Sequence, residues 1–147
     1  MLKFKISCFV LISLCSSAIA GPKEDALQVV ERWAKAFTEA DVDTIIGLYA
    51  SDAVFMGTGS KTIVAKPEDI KKYFQGALLG NKRFVVTFVE SAVTAASETA
   101  FVVTALDRVA LTEDGMTRDV FGRLTFVVVR RDSGWRIVSF HRSAMPS

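Results

Sequence analysis

From residue 83 to the end, the chain alternates long runs rich in Val, Phe and Thr with short clusters of turn formers. The runs are Arg83 to Ala95, Thr99 to Leu111, Arg118 to Arg131 and Trp135 to Ser143, and β-branched and aromatic residues at that density specify strands. Between them lie Ser97-Glu98, Glu113-Asp114-Gly115 and Asp132-Ser133-Gly134, which suit hairpin connections. Four strands joined in this way predict an antiparallel meander. A run as long as Arg118 to Arg131 exceeds the usual strand of roughly 3–10 residues, so the sheet is expected to bend strongly.

The segment before residue 83 has a different period. Lys23 to Ala40 places Ala26, Val29, Val30, Trp33, Ala34 and Phe37 on one stripe, the spacing of an amphipathic helix. Asp41 or Asp43 can cap a second helix, Thr44 to Tyr49. Ala53 to Met56 and Thr62 to Ala65 read as short strands around the turn Gly57-Thr58-Gly59-Ser60. Pro67 followed by Glu68 and Asp69 opens a third helix, which is expected to run to about Leu79 and close at Gly80. Helices first and strands afterwards predict an α+β domain with three helices packed on the concave face of a strongly curved antiparallel sheet. Such a sheet tends to enclose a pocket against the first helix. No repeat, linker or low-complexity tract interrupts the chain after residue 21, so residues 21–147 are expected to form one domain.

Residues 1–20 are expected to be a secretory signal peptide. Lys3 and Lys5 precede an apolar run, Ile6 to Leu14, and Ala18-Ile19-Ala20 supplies an A-x-A cleavage site. The run is well short of the ~20 apolar residues that a membrane span needs. Lipidation at Cys15 is the weaker alternative, because Leu14 is larger than the residue such processing prefers. Removing 20 of the 147 residues leaves 127, and discarding two lysines turns 18 basic against 16 acidic residues into 16 against 16. A neutral domain without a basic stripe carries no footprint for nucleic acid. Both cysteines, Cys8 and Cys15, fall in the leader, and His141 is the sole histidine of the chain. The exported domain is therefore expected to lack a disulfide, a thiol nucleophile, a His-rich zinc site and a cofactor, and to be periplasmic or secreted.

The order of elements resembles the nuclear transport factor 2-like superfamily, a cone-shaped α+β fold. The tail Arg130-Arg131-Asp132-Ser133-Gly134-Trp135-Arg136-Ile137-Val138-Ser139-Phe140-His141-Arg142-Ser143-Ala144-Met145-Pro146-Ser147 resembles the end of the association (hub) domain of calcium/calmodulin-dependent protein kinase II. That family includes small exported bacterial proteins without a kinase. Val30-Glu31-Arg32-Trp33 and Leu48-Tyr49-Ala50-Ser51-Asp52-Ala53 resemble, more loosely, steroid isomerases and SnoaL-like cyclases.

Fold does not fix function, so each implied role is followed residue by residue. The isomerase resemblance implies a general base where this chain has Gly57, and an enolate-stabilising tyrosine where it has Trp33. Enolisation needs a base and an oxyanion donor, and the matched positions supply no base. The hub-domain resemblance implies an arginine-lined pocket for small carboxylates. Arg142 matches its last arginine, whereas Phe126 and Leu106 stand where two others would be. Arg118 matches a family arginine outside the pocket set, and strand alternation from Phe126 sends Arg123 to the opposite face.

Two readings stand beside each residue. Arg142 is either a carboxylate clamp or half of an internal ion pair with an acid of the first two helices, such as Glu31. His141 alternates away from Arg142 and suits a subunit contact better than catalysis. Trp33 and Tyr49 are expected to pack the ligand body; Phe55, Tyr73 and Phe74 read first as core. Asp41, Asp43 and Asp52 read as caps and turn formers, the Asp107-Arg108 and Glu113-Asp114 charges as solvated, and Lys66, Lys71 and Lys72 as a wet helix face. Phe84, Val86 and Phe88, like Phe101, Val103 and Ala105, share one side of their strands. With both sheet sides apolar over much of the meander, one is expected to pack against a second copy, giving a homodimer or a larger ring. The expected function is a non-catalytic, exported protein that binds a small organic molecule, a carboxylate by the hub resemblance, through Arg142, Trp33, Tyr49, Phe126 and Leu106. The alternatives are an isomerase, cyclase or dehydratase with Asp107 or His141 as its acid or base, and a purely structural oligomerisation module.

Overall fold

The computed structural model describes residues 21–146. The expected leader, with Lys3, Lys5, Cys8 and Cys15, lies outside the described residues. The elements run α1 (Pro22–Thr38), α2 (Val42–Gly47), β1 (Tyr49–Met56), α3 (Pro67–Leu78), β2 (Arg83–Ser97), β3 (Ala100–Glu113), β4 (Met116–Arg131) and β5 (Gly134–Ala144). Five strands form one curved sheet in the order β1-β5-β4-β3-β2, with the three helices against its concave side.

Proline at the first turn, with Glu24 and Asp25 following, starts α1, and its buried stripe of Ala26, Val29, Val30, Trp33 and Ala36 faces the sheet. The helix stops at Thr38 rather than Ala40, because Ala40 turns into a left-handed conformation (φ 55°) that redirects the chain. The second helix lies two residues earlier than expected, at Val42–Gly47. Its N-cap is Asp41, whose carboxylate accepts from the Thr44 backbone N–H (3.0 Å) and hydroxyl (2.6 Å). Tyr49 therefore opens β1 instead of closing a helix. The expected strand over Thr62 to Ala65 reduces to a single bridge between Val64 and Phe55.

The β2–β5 meander is antiparallel throughout, but β1 runs parallel to β5, so the sheet is mixed at that edge. The β3–β4 hairpin turns on Asp114 (φ 51°) and Gly115 (φ 78°), two left-handed residues in succession, as a tight type I′ turn requires. Bulges interrupt β2 near Val89 and Ala96 and β5 at Val138, and each adds local bend. The concave side carries the core. Phe84, Val86 and Phe88, with Phe101, Val103 and Ala105, face the helices, so the outward side presents other residues: Val85, Val89, Leu106 and Phe121. No helix among the described residues is long and apolar enough to cross a membrane.

Trp33 centres the core. Its ring lies 5.1 Å from Phe37 and Phe140 and 5.2 Å from Phe126, mostly in tilted or edge-on contacts of the kind aromatic quadrupoles favour. Phe55 stacks on Phe140 at 5.1 Å. Thr38, at the end of α1, accepts from the Val86 backbone N–H (3.1 Å), fixing the helix to the edge strand β2. Between these two attachments the helix stands off the sheet.

Candidate functional site

The inward residues of β3 read Phe101, Val103, Ala105, Asp107, Val109, Leu111. One carboxylate therefore occupies the middle of an otherwise apolar stripe, and it is 1% exposed. A buried carboxylate demands a partner. The partner is Arg142 of β5, which donates from Nε to Asp107 Oδ2 and from Nη2 to Oδ1, both at 2.8 Å. This planar two-point pairing is the strongest geometry available to these groups. The Arg142 Nη1 donates in addition to Thr58 Oγ1 at 2.8 Å, and that hydroxyl returns a bond of 3.4 Å to the Arg142 carbonyl.

The pairing corrects two expectations. Arg142 finds its internal partner on β3, not on α1 or α2, because strand alternation aims it across the concave face while Glu31 lies on the exposed side of α1. Asp107 is buried rather than solvated, because it shares the register of Ala105 and Val109; Arg108 alone of that dipeptide faces outward, bonded to Asp119 at 2.9 Å.

The reach of Arg142 depends on two features of neighbouring backbone. Strand β4 lies between β3 and β5, so the guanidinium must cross it, and it does so over Gly122. A Cβ built on Gly122 would stand 2.5 Å from Arg142 Nη2 and 2.7 Å from Asp107 Oδ1. Gly122 is thus required for space, since its backbone is not left-handed. The second feature is the bulge at Val138. Trp135 and Ile137 point inward, and strict alternation would then send Ser139 and His141 inward. The extra residue shifts the phase, so Phe140 and Arg142 face the core and His141 is exposed opposite Thr125.

Above the pair lies a chamber of about 270 Å3 between α1 and the concave sheet. Trp33 and Phe37 form its helical wall, and Phe84, Val86, Val109, Leu111 and Val120 form its sheet wall. Asp107 and Arg142 are its polar inner end, and Arg118 is its third charged residue. By the hub resemblance Arg118 matches an arginine outside the pocket set; here its place opposite Leu111 on the β3–β4 ladder brings it to the mouth of the chamber. Among the described residues it makes no ion pair. The three side chains together carry one net positive charge. Two further hollows share the rim: one of about 770 Å3 beside the α3–β2 connection, which shares Phe37 and Phe84, and one at the β3–β4 hairpin, which shares Leu111 and Arg118.

Of the five residues expected to hold a ligand, Trp33 and Arg142 line the chamber. The other three lie elsewhere. Phe126 is fully buried between Trp33, Phe88 and Phe140, Leu106 alternates to the outward side of β3, and Tyr49 packs under Trp33. Tyr49 has a positional role nonetheless: its hydroxyl accepts from Trp33 Nε1 at 3.2 Å, which fixes the indole and leaves its apolar surface for the chamber. Burial holds the Tyr49 hydroxyl in its neutral form, with a pKa raised well above the usual phenol value. Gly57 lies against the Tyr73 ring, and Asp41, Asp43 and Asp52 act as a cap or as ion-pair partners, Asp43 with Lys71 and Asp52 with Arg131. Sequence reading misses Gly122, and it names Asp107 only for the enzymatic alternative while placing it in solvent; each has a visible signal, a glycine inside a strand and an acid in phase with an apolar stripe. Among the described residues no group of three or more His, Cys, Asp or Glu side chains could hold a metal ion.

The fold and sequence have relatives among known proteins. A candidate calcium/calmodulin-dependent protein kinase II association domain from Xanthomonas campestris is 29% identical, with a TM-score of 0.75 over 84% of this chain and 88% of that one. An NTF2-like protein of unknown function from Pseudomonas putida is 20% identical, with a TM-score of 0.74 over 85% and 87% of the two chains. A ketosteroid isomerase-like protein from Erwinia carotovora is 17% identical, with a TM-score of 0.74 over 85% and 97%. The last two show the shared fold alone. No curated protein matches the chain. The SnoaL-like domain family matches residues 26–147, and with its helices on a curved, mostly antiparallel sheet the chain belongs to that family, within the nuclear transport factor 2-like fold.

Proposed function

We propose that this protein binds a small organic ligand bearing an acidic group in the chamber between α1 and the sheet. The carrying observation is the buried Asp107–Arg142 pair at the inner end of a chamber with apolar walls. As a core staple such a pair contributes little, since desolvation offsets most of its Coulomb attraction, and hydrophobic side chains would serve the core as well. As part of a site it supplies what ligand pockets need, a few convergent polar groups among apolar ones. The volume, just under the ~300 Å3 at which drug-sized sites begin, suits a ligand of one ring or a short chain. Both Asp107 oxygens hold Arg142, so the cation with capacity for a ligand carboxylate is Arg118.

The protein works as an exported homodimer in this reading, without a cofactor, nucleic acid or membrane. Export is supported by the basic, apolar and A-x-A features of residues 1–20, and self-association by the exposed Val85, Val89 and Phe121 on the outward side of the sheet. A second reading, acid–base chemistry, is favoured by one observation: Asp107 lines the chamber, where a substrate could meet it.

Thermal unfolding against a panel of small carboxylates tests the proposal. A ligand that binds only the folded state raises stability by about 2.7 kcal/mol at 100 times its dissociation constant. We expect at least one carboxylate to raise Tm and the Arg118→Ala variant to lose most of that rise. Arg142→Ala is the less informative variant, because it strands Asp107 without a partner whether or not a ligand binds. A panel that leaves Tm unchanged would contradict the proposal.

A further inference from the structure

We infer that the chamber recognises a ligand by its two ends: a neutral group that both donates and accepts hydrogen bonds at the Asp107–Arg142 end, and an anionic group at Arg118. This rests on the small-ligand reading above and specifies the chemical class, a short, rigid aromatic or unsaturated acid carrying a hydroxyl at its far end.

The inner end is a donor and an acceptor side by side. Asp107 accepts one bond at each oxygen from Arg142, which leaves a lone pair on each. Arg142 has five N–H groups, of which Nε, one on Nη2 and one on Nη1 are engaged, so one N–H remains on each terminal nitrogen. The pair is neutral as a unit. An anion placed there would be attracted by Arg142 and repelled by Asp107 at nearly the same distance. A hydroxyl can give its proton to Asp107 and accept from Arg142. The deep end therefore favours a hydroxyl over a carboxylate.

The outer end has the opposite character. Arg118 is exposed and free of any ion pair among the described residues; of the acids near it at the hairpin, Glu113 is bonded to Lys82 at 3.3 Å and Asp114 turns in the loop. The ladder measures the separation. Asp107 is paired with Gly122 and Leu111 with Arg118, so the two ends lie four residues apart along β3. At ~3.4 Å per residue this is about 13–14 Å between backbone rows, and Arg118 and Val120 both line the chamber along this stretch. Val109, between the two rows, and Trp33 on the helix side both line the chamber and give it apolar walls.

Calorimetric titration with 4-hydroxycinnamate, cinnamate, 4-hydroxycinnamamide and 2-naphthol separates the terms. The wild-type protein should bind 4-hydroxycinnamate about tenfold or more tightly than either cinnamate, which lacks the hydroxyl, or the uncharged amide. Arg118→Ala should bring the acid down to the level of the amide while keeping the preference for the hydroxyl. The paired variant Asp107→Leu/Arg142→Met should do the reverse. If 2-naphthol binds but acid, amide and unhydroxylated acid bind equally well, the two-ended recognition is overturned and, of the reading above, the small-ligand chamber stands without the acidic group. If Arg118→Ala leaves the acid preference intact, the outer anchor is overturned and the acidic-ligand reading stands without Arg118. If none of the four compounds binds the wild-type protein, both readings fall. The wild-type series decides the matter alone should the paired variant fail to fold.

Discussion

Asp107, Arg142 and Gly122 act as one unit, and their substitutions should reveal it. Removing Asp107 leaves a guanidinium whose side chain is only 13% exposed without its counter-charge, a loss of roughly 3–5 kcal/mol for a broken buried pair. Asp107→Ala should accordingly unfold at clearly lower denaturant, whereas Asp107→Leu combined with Arg142→Met should recover most of the deficit. Chemical denaturation of the three variants checks this, and a double variant as weak as Asp107→Ala would show that the pair stabilises the core after all. Gly122→Ala adds a methyl where the guanidinium crosses, and we expect a loss of about 1–3 kcal/mol, the usual cost of overpacking. In Asp107→Leu/Arg142→Met, where the crossing side chain is thinner, the same substitution should cost less. At this scale the sequence was partly legible. The inward phase of Asp107 was written in its neighbours Ala105 and Val109, yet the dipeptide Asp107-Arg108 also read as a solvated pair, and a charge symbol alone does not say which of two adjacent side chains turns in. The ion-pair partner was not legible, because it depends on which strands flank β4.

Among the elements, β5 shows how local irregularity controls a site. One extra residue at Val138 sets the phase that turns Arg142 inward and His141 outward. Deleting Val138 removes that extra residue and restores regular alternation with Phe140 and Arg142 still inward and His141 outward, so the Asp107–Arg142 pair should survive and Tm should fall far less than in Asp107→Ala; a loss as large as that of Asp107→Ala would refute this role of the bulge. Alternation around His141 and Arg142 was readable in the sequence, but the bulge itself was not, since Ile137-Val138-Ser139 carries no Gly or Asn to mark it. The helices were legible to within two residues because their stripes and proline starts are strong local signals, whereas the parallel docking of β1 on β5 joins residues 80 or more positions apart in sequence and leaves no such signal. The α2 cap offers a pH test. Hydrogen bonds from Thr44 hold the Asp41 carboxyl below its usual value, so its stabilising contribution is present above the ordinary carboxylate range and is lost as pH falls through the depressed value. Asp41→Ala should lower Tm at neutral pH, and the gap to the wild-type protein should close in acid. A gap that persists unchanged at low pH would mean that the carboxylate charge is not what caps α2.

For the whole molecule, the curved sheet separates two tasks. Its concave side holds the core and the chamber, and its convex side carries Val85, Val89 and Phe121 in the open. If a second copy covers that side, Phe121→Glu should shift the protein toward monomer in sedimentation equilibrium without altering ligand binding, because Phe121 lies on the opposite face of β4 from Val120 and Gly122. A mass that does not change with the substitution would direct attention to another face. In the function proposed, the chamber below α1 is a ligand site with Arg118 at its mouth. Nuclear magnetic resonance mapping with 4-hydroxycinnamate tests it most directly, with the Trp33 indole and the Arg118 guanidinium as the reporting groups. Saturable shifts of both are expected, together with the amides of Val109 and Val120, while the indole of Trp135 at the far end of β5 stays in place. Shifts confined to the Trp135 end, or none at saturating ligand, would contradict that proposal.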